Sequence, residues 1–117
     1  MKYMLLFFAD EDAWMDLSEE ARAAAIGQIG TWYGQQAQAG RLIEGRRLRG
    51  KGSATTVRLG AAGKSAEATI IDGPFIEAKE AIGSYAIIEA GDLDAALSVA
   101  KSWPGGGAIE IRPVQED

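Results

Sequence analysis

Nine consecutive residues, Asp72-Gly73-Pro74-Phe75-Ile76-Glu77-Ala78-Lys79-Glu80, carry the densest chemistry of this 117-residue chain. Gly73 can take backbone angles that other residues avoid, and Pro74 holds Gly73 extended and stiffens the corner. Phe75 is an aromatic in a connecting segment, so it must pack inward or line a pocket. Glu77, Lys79 and Glu80 then place three charges within four residues. One reading is a pocket edge at which Asp72, Phe75, Glu77 and Lys79 meet a small polar ligand. The other is a rigid corner carrying a solvated charge cluster.

A second group lies near the C-terminus. In the segment 109–114, Ile109 and Ile111 alternate with Glu110 and Arg112, so the two charged residues share one face of a strand. Tyr85 and Glu89 share the parity of another strand, and Arg58 ends a third. Together with the loop residues these are the candidate ligand contacts. A carboxylate would have to act as any acid–base group, its pKa raised by burial or by a neighbouring acid. A salt-bridged scaffold accounts for Glu110 and Arg112 equally well. Whether the chain is an enzyme stays open at this point.

Absent residue types narrow the chemistry further. There is no Cys, His or Asn. Thiolate nucleophiles, imidazole catalysis, disulfides and Cys- or His-ligated zinc are therefore excluded. No cofactor and no transition metal are expected. Asp10, Glu11, Asp12 and Asp16 could hold a hard cation, but they lack the spacing of a calcium loop, and acidic residues are ordinary before a helix start. The stretch Gly60-Ala61-Ala62-Gly63-Lys64-Ser65 ends like a phosphate-binding loop. The position of its first glycine is Arg58, however, and it lies between two strand signals, which makes it a hairpin turn.

The net charge is −5, yet residues 41–64 hold seven bases and one acid. That island is read as a solvated hairpin with basic tips; attraction of a small anion is the second reading. An acidic chain of this kind is a poor non-specific partner for nucleic acid.

The elements that must position these groups are legible from periodicity. Residues 3–9 are apolar throughout and read as a strand buried on both faces. Residues 18–39 read as a helix capped by Ser18 and stopped by Gly40, with Ile26, Ile29 and Tyr33 on one arc and Gln28, Thr31, Gln35 and Gln38 opposite. Ala23, Gly27, Gly30, Gly34 and Ala37 form a stripe of small residues, which close approach of another backbone would explain. Short strands follow at 41–48, 55–59 and 67–71. A strand at 83–90, a helix after Asp92 with Leu93, Ala96, Leu97 and Ala100 on its face, and a final strand at 109–114 complete the order. The pattern β-α-β-(β-hairpin)-β-α-β suits a single α+β domain over 1–117, a ferredoxin-like sandwich with an inserted hairpin.

Composition points to a partner. Of 55 apolar residues 21 are Ala, a lean supply for a core. Two helices cover one face of a sheet whose first strand is apolar on both, and a second copy of the sheet is the simplest cover. The opening apolar run is short, lacks a cleavage site and meets Asp10-Glu11-Asp12 at once, so the chain is expected to be soluble and cytoplasmic.

The stretch Asp72-Gly-Pro-Phe-x-Glu-x-Lys-Glu80 resembles the signature of the DGPF branch of the YCII-related proteins. Met1-Lys2-Tyr3-Met4-Leu5-Leu6, Trp14, Ala39-Gly40-Arg41-Leu42, Thr56-Val57-Arg58, Gly83-Ser84-Tyr85 and Ile109-Glu110-Ile111-Arg112-Pro113 agree with it. The resemblance implies a bacterial homodimer, a dimeric α+β barrel with a cleft per protomer near the interface, binding or transforming a small polar metabolite. It also implies an alternative, a regulatory module working with an extracytoplasmic-function sigma factor. The YCII proteins proper carry a His–Asp pair in the cleft, and this chain has no His to supply it. A purely structural dimer is the third reading.

Overall fold

In the computed structural model, residues 1–61 and 67–117 are described. The chain opens with β1 (Lys2–Asp10), a short helix α1 (Glu11–Asp16) and a long helix α2 (Glu19–Gln38). Next come β2 (Leu42–Arg47), one 3-10 turn at Lys51–Ser53, β3 (Thr55–Arg58) and β4 (Thr69–Asp72). The rest is β5 (Glu80–Glu89), α3 (Leu93–Lys101) and β6 (Ala108–Pro113). Four strands form one antiparallel sheet in the order β2-β5-β1-β6, and β3 pairs with β4 in a separate two-stranded sheet. This is an α+β fold. The phosphate-loop look-alike and Lys64 lie wholly or largely outside the described residues.

Local chemistry explains the helix boundaries. The Ser18 hydroxyl accepts the Ala21 N–H at 3.1 Å, which satisfies one orphan donor of α2. Gly40, at φ +77°, ends the helix in the left-handed conformation. α1 was not expected. Its cap is Asp10, whose carboxylate accepts the N–H groups of Asp12 and Ala13, so acidic residues that looked like a cation site begin a helix instead.

The core lies between the helices and one face of the sheet. Tyr3, Leu5 and Phe7 of β1 are buried there with Ala86 and Ile88 of β5, under Trp32 of α2 and Ala96, Val99 and Ala100 of α3. Phe7 stacks on Trp103 at 3.8 Å between centroids, and Trp32 meets both rings edge-on. The buried Trp32 indole donates to Ser102 Oγ at 2.8 Å. The expected helix arcs need correction: Ile29, Trp32 and Gln36 are the buried residues of α2, whereas Ile26 is exposed. On α3, Ala96, Val99 and Ala100 turn inward, while Leu93 and Leu97 stay exposed. A helix lying obliquely on a twisted sheet buries the side chains nearest the strands, not the centre of its hydrophobic arc. Buried Gln36 is satisfied by Arg41, whose Nε donates to its Oε1 at 2.8 Å. Among the described residues of the chain no backbone approaches the small-residue stripe, since a methyl at Gly27, Gly30 or Gly34 would meet nothing within 4 Å.

Tyr33 closes the seam between α2 and β5. Its hydroxyl donates to the Tyr85 carbonyl at 2.8 Å, and its ring fills the space where Gly45 lacks a side chain. Burial, with a smaller contribution from Tyr85, pushes its pKa up to about 12 against the opposing pull of Arg47 and Ser84.

Candidate functional site

The opposite face of the sheet has no helix on it. Met4, Leu6 and Phe8 of β1 are half-buried there, in contrast to the fully buried alternate residues. Register fixes the rows across this face. One row reads Arg46, Tyr85, Leu6, Glu110, and the next Glu44, Ile87, Met4, Arg112. Glu110 and Arg112 therefore do point away from the helices, with Tyr85 in the row of Glu110, as their parity indicated. Their charges alternate in sign from end to end of each row and from one row to the next.

A bulge alters the pattern toward the N-terminal end of β5. Phe7 pairs with Ser84 but Phe8 pairs with Ile82, leaving Gly83 as the extra residue. Ile82 thereby joins Phe8 on the open face. β5 begins at Glu80, opposite Asp10, so the end of the nine-residue stretch belongs to the sheet.

The connection between β4 and β5 is held at both ends. Gly73 sits at φ +103°, a conformation strained for any side chain. Its N–H donates to the Ala54 carbonyl at 2.7 Å, and its carbonyl accepts the Thr56 hydroxyl at 2.7 Å. Further along, Lys51 Nζ donates to the Ala78 carbonyl at 3.3 Å. The Lys51 N–H in turn donates to Glu11 Oε1 at 2.7 Å. A corner built this way keeps its shape without needing the charged side chains between its ends.

Phe75 is 64% exposed, too open to be a core residue. The Arg58 guanidinium lies 5.0 Å from its ring centroid, so these two candidates meet in a cation–π contact. Phe75 also lines a cavity of about 580 Å³ with its neighbours Pro74 and Ile76. Phe8 and Ile82 contribute from the open sheet face, and Arg49 and Lys51 bring positive charge. That volume is in the range of small-molecule sites. Asp72 ends β4 opposite Thr55 and is exposed, as is Glu77. Lys79 Nζ stands 3.7 Å from Asp10 Oδ2 in an ion pair at the loop's end. Of the nine candidates, Phe75 lines the cavity, Arg58 stacks behind it, and Glu89 pairs with the N-terminal ammonium at 3.0 Å. Asp72, Glu77 and Lys79 flank the loop, while Tyr85, Glu110 and Arg112 occupy the rows beyond Phe8.

Sequence reasoning missed Phe8, Ile82, Arg49 and Lys51 as cavity residues. The signals existed, in the apolar outer parity of β1 and in the basic island, which had been read as solvated tips. Among the described residues no three acidic side chains group as metal ligands. None of the described helices is long and apolar enough to cross a membrane.

An antiparallel sheet with helices on one face and a cavity between its open face and a connecting loop defines a small α+β protein. Comparison with known families matches residues 1–116 to the YCII-related domain. The chain belongs to that family. It is also similar to the uncharacterized protein R00369 of Rhizobium meliloti (strain 1021), 30% identical over 118 residues that span 97% of this chain and 92% of that one.

Proposed function

We propose that this chain is a metabolite-binding protein of the DGPF branch that works as a dimeric α+β barrel, its ligand held under the Asp72–Glu80 segment. The resemblance of the nine-residue stretch to the DGPF signature supports that branch, and the strand order is the ferredoxin-like one. The observation that carries the reading is the cavity of about 580 Å³ between Phe75 and the open-face pair Phe8 and Ile82. Its lining is largely apolar with Arg49, Lys51 and Glu80 at hand, which suits a small molecule bearing a polar group.

Three features support the pairing of two copies through the open face. The protomer measures 46 × 44 × 18 Å with a radius of gyration of 16.4 Å, whereas a compact chain of this length has about 13 Å. The β3–β4 hairpin leaves Val57 54% and Ile70 71% exposed, and a lone two-stranded sheet is marginal in water. Finally, the row pattern is self-complementary. A twofold axis in the plane of the sheet, along the strands or across them, lays each base over an acid of the other copy.

The test is a metabolite screen by ligand-observed NMR on the wild type and on Phe75→Ala, with light scattering on the same samples. A hit that binds the wild-type dimer and loses affinity at least tenfold in Phe75→Ala supports the reading. Equal binding to both proteins, or a wild type of single-chain mass, refutes the corresponding half of it.

A further inference from the structure

A second cavity, of about 470 Å³, lies on the helix side of the sheet, across the Leu48–Gly50 backbone from the first. Its composition differs. The indole of Trp14 and the side chain of Met15 come from α1, and buried Ile29 of α2 forms the apolar floor. Ser84 is 6% exposed and opens on this space, where the bulge at Gly83 leaves no side chain in the way. Arg47 is the direct cross-strand neighbour of Ser84, so a guanidinium and a buried hydroxyl share one wall.

The bases of this wall are held in no ion pair. Neither Arg47 nor Arg49 forms an ion pair among the described residues. Glu11 also lines the cavity, its carboxylate turned to the Lys51 N–H at 2.7 Å, so one acid stands beside the two bases. The Arg47 guanidinium and the Ser84 hydroxyl above an apolar floor favour a carboxylate attached to a flat body. The planar fork of Arg matches both carboxylate oxygens, and the indole offers a stacking surface.

We propose that this cavity is a second ligand site, which takes an aromatic carboxylate between Trp14 and the Arg47–Ser84 pair. The carboxylate sits on Arg47 and Ser84, and the ring lies along Trp14 over Ile29. The site is independent of the cleft under Phe75, although the two share the Leu48–Gly50 wall.

The experiment titrates the full chain with 2-naphthoate and with neutral 2-naphthamide, following amide and indole shifts by heteronuclear NMR. Saturable shifts centred on the Trp14 indole, Arg47 and Ser84 are expected with the acid, with at least tenfold weaker binding of the amide. Arg47→Gln and Ser84→Ala should each weaken naphthoate binding, Arg47→Gln by tenfold or more. Lys101→Gln, on the exposed end of α3, should leave it unchanged. Phe75→Ala should also leave it unchanged, which separates this site from the cleft. Naphthoate binding that survives Arg47→Gln but is lost in Phe75→Ala would overturn the proposal, as would no saturable shift at millimolar acid.

Discussion

Replacing Tyr33 with phenylalanine removes one oxygen from the seam between α2 and β5 and leaves the ring that fills the gap at Gly45. The hydroxyl donates to the Tyr85 carbonyl at 2.8 Å, and losing such a bond costs about 1 kcal/mol at neutral pH. The pH dependence carries more information. Tyr33 ionises near 10.0 when unfolded and about 12 when folded, chiefly because burial disfavours the phenolate. The folded pKa is the higher one, so the stabilisation is complete below pH 10 and is lost as pH rises toward 12. Two units correspond to about 2.7 kcal/mol, which solvent screening of a half-buried phenol reduces to roughly 1–2 kcal/mol. Phenylalanine has no proton to lose. Wild type should therefore be about 1 kcal/mol more stable at pH 7, and the variant should equal or surpass it between pH 11 and 12. Urea denaturation followed by tryptophan emission, run on both proteins from pH 7 to 12, gives the difference directly, and titration of shared lysines largely cancels. A stability gap that stayed constant across that range would refute the account of Tyr33.

Other perturbations probe the remaining features. Leu6→Lys places a charge at the centre of the open face, where Leu6 is only half-buried in the protomer; light scattering should report a folded chain of single-copy mass. Gly73→Ala forces a side chain into φ +103° and should cost roughly 1–3 kcal/mol in urea denaturation, with weakened binding under Phe75. Glu77→Gln and Lys79→Met alter exposed charges, one of them in a surface ion pair, so each should change stability by about 0–1 kcal/mol. Pro74→Ala should lower the melting temperature by more than either, because the ring restricts the unfolded chain.

Much of the fold was legible because strand parity is a strict code. The outward placement of Glu110 and Arg112, and the inward one of Ile109 and Ile111, follow from alternation alone, and the register bears both out. Ser18 and Gly40 marked the ends of α2 through capping chemistry that acts within a few residues. The inner face of α2 was less legible. Trp32 and Gln36 are buried because of how the helix lies on the sheet, and Gln36 is tolerated inside because Arg41 reaches it, which is a tertiary fact. The signature segment announced a fixed corner, and Gly73 delivers it. That Ile82 would join Phe8 and Phe75 at one cavity depends on the bulge, which the lone Gly83 within the strand marks only by its type.

That bulge works as a change of phase. Along β5, even-numbered residues from Ser84 onward face the helices, and strict alternation would send Ile82 to the same side. One additional residue, Gly83, reverses the parity of everything before it, so a single strand supplies the floor of one hollow with Ile82 and the wall of the other with Ser84. Deleting Gly83 would leave the composition of the strand almost untouched and turn the bulge into a regular ladder, with Ile82 still opposite Phe8 and Ser84 still opposite Phe7. Insertions farther upstream, between β4 and Glu80, would leave that parity intact. The two hollows are thus set apart by one unpaired residue, and its loss would straighten the strand between them while leaving Ile82 and Ser84 on their own faces.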